Sequence, residues 1–376
     1  MSKVKSAFRE TLRREWPLGL AVITLTAALL GKPWIAPALG RPAAIISLLA
    51  VLCGVILITA VAIVRHAEEL AHRLGEPAGT LLLTLAITGL EVAMVAFVMA
   101  TGEEKPTLAR DTMFAVVMLV FNGFMGLALL AGGLRHREQS YNLQSANAFL
   151  VMILPLTVLG LVLPNFTRET AGPTLSRFQM IFLSIMSVVI YAIFLYIQNR
   201  RHRGYFMAPE EAAAHAANAR PEQQSSRSTT YHTIMLVLYG LPLVLLAKQM
   251  AVPLDAIVIK FRAPVALGGF IMALLVLTPE SIAAIQAALH DRLQRSVNIL
   301  LGSVLASIGL TIPLVIAVSL VTGRRLVLGL DPAEMVMLVL TLVTSMLTFS
   351  LPRTNLLLGC VHLLLFGAYF MLIFDQ

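Results

Sequence analysis

The sequence predicts an all-α polytopic membrane protein with about eleven transmembrane helices: one extra N-terminal helix, then 5+5 helices in two inverted-topology repeats. Three observations carry this. The 376 residues are 58% hydrophobic and 13% charged, with a mean hydropathy of +0.84, whereas a soluble domain carries roughly 25% charged residues. The apolar residues come in continuous runs long enough to span a bilayer, without the alternation of a barrel strand, and lipid admits continuous apolar backbone only as helix. Two similar runs each hold one acidic residue near the middle, Glu91 and Glu280.

Residues 1–40 form a basic cytoplasmic arm and the first helix. Lys3, Lys5, Arg9, Arg13 and Arg14 hold the arm inside, and Trp16 and Trp34 sit where indoles settle, near the two interfaces. The basic start and Ala36-Pro37-Ala38 also resemble a signal peptide, but the next apolar run begins at once, so the first helix is expected to be kept. Residues 41–199 form repeat 1, with helices near 42–64, 79–101, 112–134, 146–163 and 174–198. Residues 200–230 form a polar cytoplasmic linker, whose PEEAAAHAANAR centre suits a short surface helix with its acids at the positive end of the dipole. Residues 231–376 form repeat 2, with helices near 231–247, 264–290, 295–321, 332–349 and 355–374.

Five is odd, so the second group enters the membrane from the side opposite to the first. Glu91 and Glu280 each lie on the second helix of their group, and an inverted repeat brings such positions together at the midplane. Seventeen of the 28 lysines and arginines fall in segments that an inside N-terminus makes cytoplasmic, which favours N-terminus in and C-terminus out. The net charge of +8 is thereby explained by loops retained inside, and no nucleic-acid partner is implied. The bilayer is the partner; oligomeric state is not legible.

A carboxylate at mid-bilayer depth costs several kcal/mol without a partner or a task. Pro279, just before Glu280, lacks an N–H and frees the carbonyl of Leu275. Freed carbonyls beside a carboxylate suit a hard cation. Thr84 and Thr88 share the Glu91 face of their helix, and Thr278 flanks Glu280. The helix after each acidic helix carries small and amide residues, from which Asn122, Asn298 and Ser303 are expected to support the site. The cation/proton ligands, and the metal ligands, are thus Glu91 and Glu280. No residue is catalytic and no cofactor is expected. The charged stretch Arg65-HAEELAHRLGEP lacks a metalloprotease spacing and reads as a solvated helix end, and His362 reads as a packing residue.

Four segments, Val64–Val92, Ala263–Glu280, Gln294–Val315 and Arg353–Tyr369, resemble the bacterial Cha-type cation/proton antiporters. These belong to the calcium/proton exchangers of the calcium/cation antiporter superfamily. The resemblance implies a bacterial inner-membrane exchanger of Ca²⁺ for H⁺, with Na⁺ and K⁺ as further cargo, and Glu91 and Glu280 as carriers. Many such proteins place Asn three residues before the acid; here Thr88 and Leu277 stand there, so strict calcium selectivity is not implied. The alternative is a proton-coupled exporter of a small organic substrate, which would want a wider, more aromatic cavity. A membrane enzyme would need a metal cluster, nucleophile–base pair or phosphate loop, and the sequence shows none.

Overall fold

The computed structural model describes residues 13–31, 33, 35, 37, 39–74, 78–101, 104–170, 172–198 and 228–375, with the backbone alone at 78–81 and 84. The surface helix expected in the linker lies outside the described residues. So do the basic arm before residue 13 and the interface position expected for Trp34.

The helices are α1 (Trp16–Leu30), α2 (Pro42–Leu74), α3 (Ala78–Thr101), α4 (Leu108–His136), α5 (Leu143–Leu161), α6 (Arg177–Tyr196), α7 (Thr229–Phe261), α8 (Ala266–Leu289), α9 (Leu293–Thr322), α10 (Pro332–Thr348) and α11 (Leu356–Ile373). Among the described residues, eight are long and apolar enough to cross a membrane: α2, α4, α5, α6, α7, α8, α9 and α11. Local chemistry starts several of them. The Ser176 and Gln179 side chains form a capping box on α6, Asp331 and Glu334 form another on α10 with Pro332 in its first turn, and Asn355 caps α11. Gly323, at φ 70°, ends α9 in the left-handed conformation that suits glycine.

Two short strands, β1 (Glu138–Ser140) and β2 (Arg353–Asn355), pair antiparallel, with Gln139 opposite Thr354. They tie the end of α4 to the start of α11.

The most deeply buried helices are α4 and α9, and the larger apolar core surrounds them. A second core lies among α1, α2 and α7 and reaches Met94 of α3 and Met272, Leu275 and Val276 of α8. The packing is crosswise. α3 packs on α9 and α8 packs on α4; α6 packs on α9 and α11 packs on α4; α2 packs on α7. Each of these contacts has a counterpart when α2–α6 are matched in order with α7–α11, which is consistent with an inverted-repeat architecture. In lipid the hydrophobic effect does not drive helices together, so close approach does. A Cβ added at Gly359 of α11 would lie 2.6 Å from the Leu130 backbone nitrogen of α4, so only glycine admits this contact.

Helix ends differ from expectation in several places. α2 continues ten residues beyond 64, to Leu74, and α7 continues from 247 to Phe261 through Pro253. α4 begins at Leu108, four residues before 112. At 1.5 Å per residue, 33 residues reach about 50 Å, against a hydrocarbon core of about 30 Å, so α2 and α7 project beyond it. The charged end of α2 is not simply solvated: His66 is fully buried. Part of that end packs against α7 instead of facing water.

Candidate functional site

α9 is the platform of the site. Ser303 and Ser307 are four residues apart, one turn, and therefore share a face. The Ser307 hydroxyl donates to Glu91 Oε1 of α3. The Ser303 hydroxyl acts on Glu280 of α8 as a hydrogen-bond donor. Glu91 is buried, at 4% exposure, whereas Glu280 is half-buried. The two carboxyl groups are close enough for the charge of Glu280 to act on Glu91. Among the described residues, neither carboxylate forms an ion pair with a lysine, arginine or histidine.

That last fact decides the chemistry. Moving an ionised carboxylate into a low-dielectric interior costs several kcal/mol after relaxation. With no cationic side chain to offset it, each acid needs a proton or an external cation. Two like charges in one place repel, so the pair favours taking up a proton or a cation over standing doubly ionised. The arrangement can therefore hold protons or a cation in one place.

The other expected residues fall into three groups. Thr88 is buried one turn from Glu91; the side chain of Thr84 lies outside the described residues. Thr278 lies just before Pro279 in α8, and its hydroxyl donates to the Leu274 carbonyl at 2.5 Å. Leu275 is buried, and its carbonyl lacks the donor that Pro279 cannot supply. The two amides have hydrogen-bond partners other than the glutamates. Asn122 lies in a π-helical turn of α4, Leu119–Phe124, and its amide donates to Thr341 Oγ1 of α10 at 2.7 Å. Its oxygen faces His362 Nδ1 of α11 at 3.3 Å, and His362 Nε2 meets Thr348 Oγ1 at 3.0 Å. Asn122 thus belongs to a buried polar chain joining α4, α10 and α11. Asn298 accepts from Gln294 at 2.8 Å and from Ser145 of α5 at 3.0 Å, roughly 8 Å along α9 from Ser303.

Ser307 was legible but not singled out. It lies one turn beyond Ser303 on α9, and that four-residue spacing is the signal the sequence carries. Three further acids are buried although they sit at helix starts: Glu15, Asp111 and Glu334. Arg110 Nε donates to Asp111 Oδ1 at 2.8 Å and Glu334 caps α10, so both have structural partners. Among the described residues there is no cluster of three or more His, Cys, Asp or Glu that could hold a metal.

A cavity of about 290 Å³ lies between α3, α7 and α8, lined by Val98, Leu254 and Met272, with the Lys105–Asp255 ion pair at 2.5 Å on its wall. Neither glutamate lines it. Val98 is seven residues from Glu91, about 10 Å along the helix.

Comparison with known proteins agrees with this architecture. The model of the family described as "Sodium/calcium exchanger protein" matches residues 44–199 and 231–374. The chain is 43% identical over 310 residues to a protein described as an ionic transporter in Sinorhizobium fredii, covering 82% of this chain and 83% of that one. It is 38% identical over 319 residues to the sodium-potassium/proton antiporter ChaA of Escherichia coli, covering 85% and 86%. Among solved structures, the Ca²⁺/H⁺ antiporter protein YfkE superposes with a TM-score of 0.70 at 19% identity, covering 96% of this chain and 100% of that one. The H⁺/Ca²⁺ exchanger CAX superposes with a TM-score of 0.63 at 16% identity, covering 96% and 88%. With its family model spanning both halves, the chain belongs to the sodium/calcium exchanger family of cation antiporters, and it is a transporter rather than an enzyme.

Proposed function

We propose that this protein exchanges a cation, Ca²⁺ or Na⁺ or K⁺, for protons across a bacterial inner membrane. Glu91 and Glu280 alternately hold the cation and the protons. The observation that carries the reading is a pair of interacting acids on α3 and α8 with, among the described residues, no cationic side chain to neutralise them. Ser303 and Ser307, together with Thr88, Thr278 and the carbonyl that Pro279 frees at Leu275, supply further oxygens. Asn122 and Asn298 act at a distance by fixing α4 and α9. The names of similar proteins, a sodium-potassium/proton antiporter and a Ca²⁺/H⁺ antiporter, support the choice of cargo.

The reading includes eleven transmembrane helices: α1, then α2–α6 and α7–α11 as inverted repeats at 41–199 and 231–376. Their crosswise packing and the two stretches matched by the family model support that division. The N-terminus and the linker lie in the cytoplasm and the C-terminus in the periplasm. The cavity beside Val98 then opens toward the periplasmic end of α3 and offers a path toward Glu91.

The step itself involves no covalent chemistry. Protonated carboxyls release their protons as the cation binds, and the site turns to the other side only when its charge is neutralised. In inverted vesicles with an imposed proton gradient, cation addition should collapse the gradient. Glu91→Gln and Glu280→Gln should each abolish that collapse. Undiminished collapse in either variant would refute the assignment.

A further inference from the structure

A second buried polar cluster joins the start of α1 to α2 and α7. Glu15 accepts hydrogen bonds from Tyr231 Oη at 2.7 Å, Tyr239 Oη at 2.9 Å, Arg65 Nη2 at 2.9 Å and His66 Nε2 at 3.1 Å. His66 of α2 and His232 of α7 are both fully buried, and their Nδ1 atoms lie 3.0 Å apart. The proposed exchange uses none of these residues.

Two groups meet His66 Nε2, Glu15 Oε2 at 3.1 Å and Arg65 Nη2 at 3.3 Å. Arg65 Nη2 already donates to Glu15 at 2.9 Å, and a carboxylate only accepts, so the assignment that keeps the shorter contact puts a proton on His66 Nε2, which donates it to Glu15. A neutral His66 then has a bare Nδ1, and His232 Nδ1–H is the donor across the 3.0 Å contact. His232 Nε2 is left with a lone pair, and this atom is buried with no hydrogen-bond partner among the described residues. The cluster can take one proton at that nitrogen without breaking any bond. It cannot take a second, because both Nδ1 atoms would then carry hydrogens pointed at each other.

We propose that Glu15, His66 and His232 form a proton-binding site separate from the carboxylate pair, a latch that holds α2 to α7 beside the start of α1 and opens when both imidazoles are protonated. The charged groups around it come from all three elements: Arg14 beside Glu15, Arg65, Glu69 and Arg73 on α2, and the phenols Tyr231 and Tyr239 on α7. Arg14 and Glu69 form an ion pair at 3.8 Å on the rim. Burial pushes the Glu15 carboxyl up, but the hydrogen bonds from Tyr231, Tyr239 and His66 and the Arg65 charge outweigh it and hold it below the usual carboxylate value. Glu15 is therefore ionised at neutral pH and the latch is closed.

The sign follows from proton linkage. Once α2 and α7 part at this contact, both histidines meet water and bind protons at the ordinary value of about 6.5. The docked state holds fewer protons, so it is favoured above that pH and loses ground as pH falls below it. On the proposed topology this is a response to cytoplasmic acid.

The test uses Trp16, next to Glu15, as the reporter. The chain has two tryptophans, so Trp34→Phe leaves Trp16 alone in the full-length protein in lipid vesicles without transported cation. Acrylamide quenching of Trp16 should rise roughly two-fold between about pH 7.5 and about pH 5.5, the histidine range. His232→Asn keeps a side chain that can present an N–H or a carbonyl to His66 Nδ1, so it docks in either protonation state and should flatten the transition. The transition should persist in Glu91→Gln/Glu280→Gln, which separates this proposal from the exchange reading. A flat wild-type response, a transition kept by His232→Asn, or one lost with the two glutamates would overturn it.

Discussion

At the residue scale, the two acids were legible because a lone charge in an apolar run has few structural explanations. Their hydroxyl partners were half legible: Ser303 was singled out and Ser307 was not. Ser307→Ala removes a donor to a buried carboxylate, an interaction of about 1.5–3 kcal/mol. Apparent cation affinity should therefore change by roughly 10- to 100-fold, measured as the cation concentration giving half-maximal gradient collapse; an unchanged value would remove Ser307 from the site. Asn122 shows what one sequence cannot give. Its type and spacing suited the site, but its face of α4 turns toward Thr341 and His362. The buried pair His66–His232 was illegible for the same reason, since the contact spans 166 residues and depends on how α2 meets α7.

At the element scale, the existence of the helices followed from apolar runs, while their ends did not. A bilayer sets the apolar length but not where a helix stops beyond it. The polar continuations of α2 and α7 had no boundary signal, since Pro253 is accommodated within α7. Two glycine and proline positions carry expectations. Gly359→Ala places a methyl group against the α4 backbone, an overpacking that should cost about 1–3 kcal/mol, read as a lower midpoint in thermal unfolding. Pro279→Ala restores an N–H to the Leu275 carbonyl. If that oxygen binds the cation, the variant should unfold no earlier than wild type yet need more cation for half-maximal exchange. Equal cation dependence would assign Pro279 to packing alone.

At the scale of the whole molecule, the sequence reads as two groups of five helices with an acid on the second of each. The crosswise packing of α3 on α9 and α8 on α4 is consistent with that proposed symmetry. The proposed orientation rests on the basic residues, and fusions test it: a phosphatase at the C-terminus should be active and a fluorescent protein there dark. The reverse pattern would invert the topology. Competition between protons and cation at a single site also sets a pH dependence. Raising the pH removes the competing protons, so less cation should be needed for half-maximal binding, and the opposite trend would contradict shared occupancy.

The most direct measurement is proton release on cation binding. Purified protein in weakly buffered detergent solution is mixed with Ca²⁺, Na⁺ or K⁺, and the pH is followed with a dye. The account expects wild type to release protons in proportion to protein, and Glu91→Gln and Glu280→Gln each to release fewer or none. Cation binding without proton release in wild type, or full release from both variants, would contradict it.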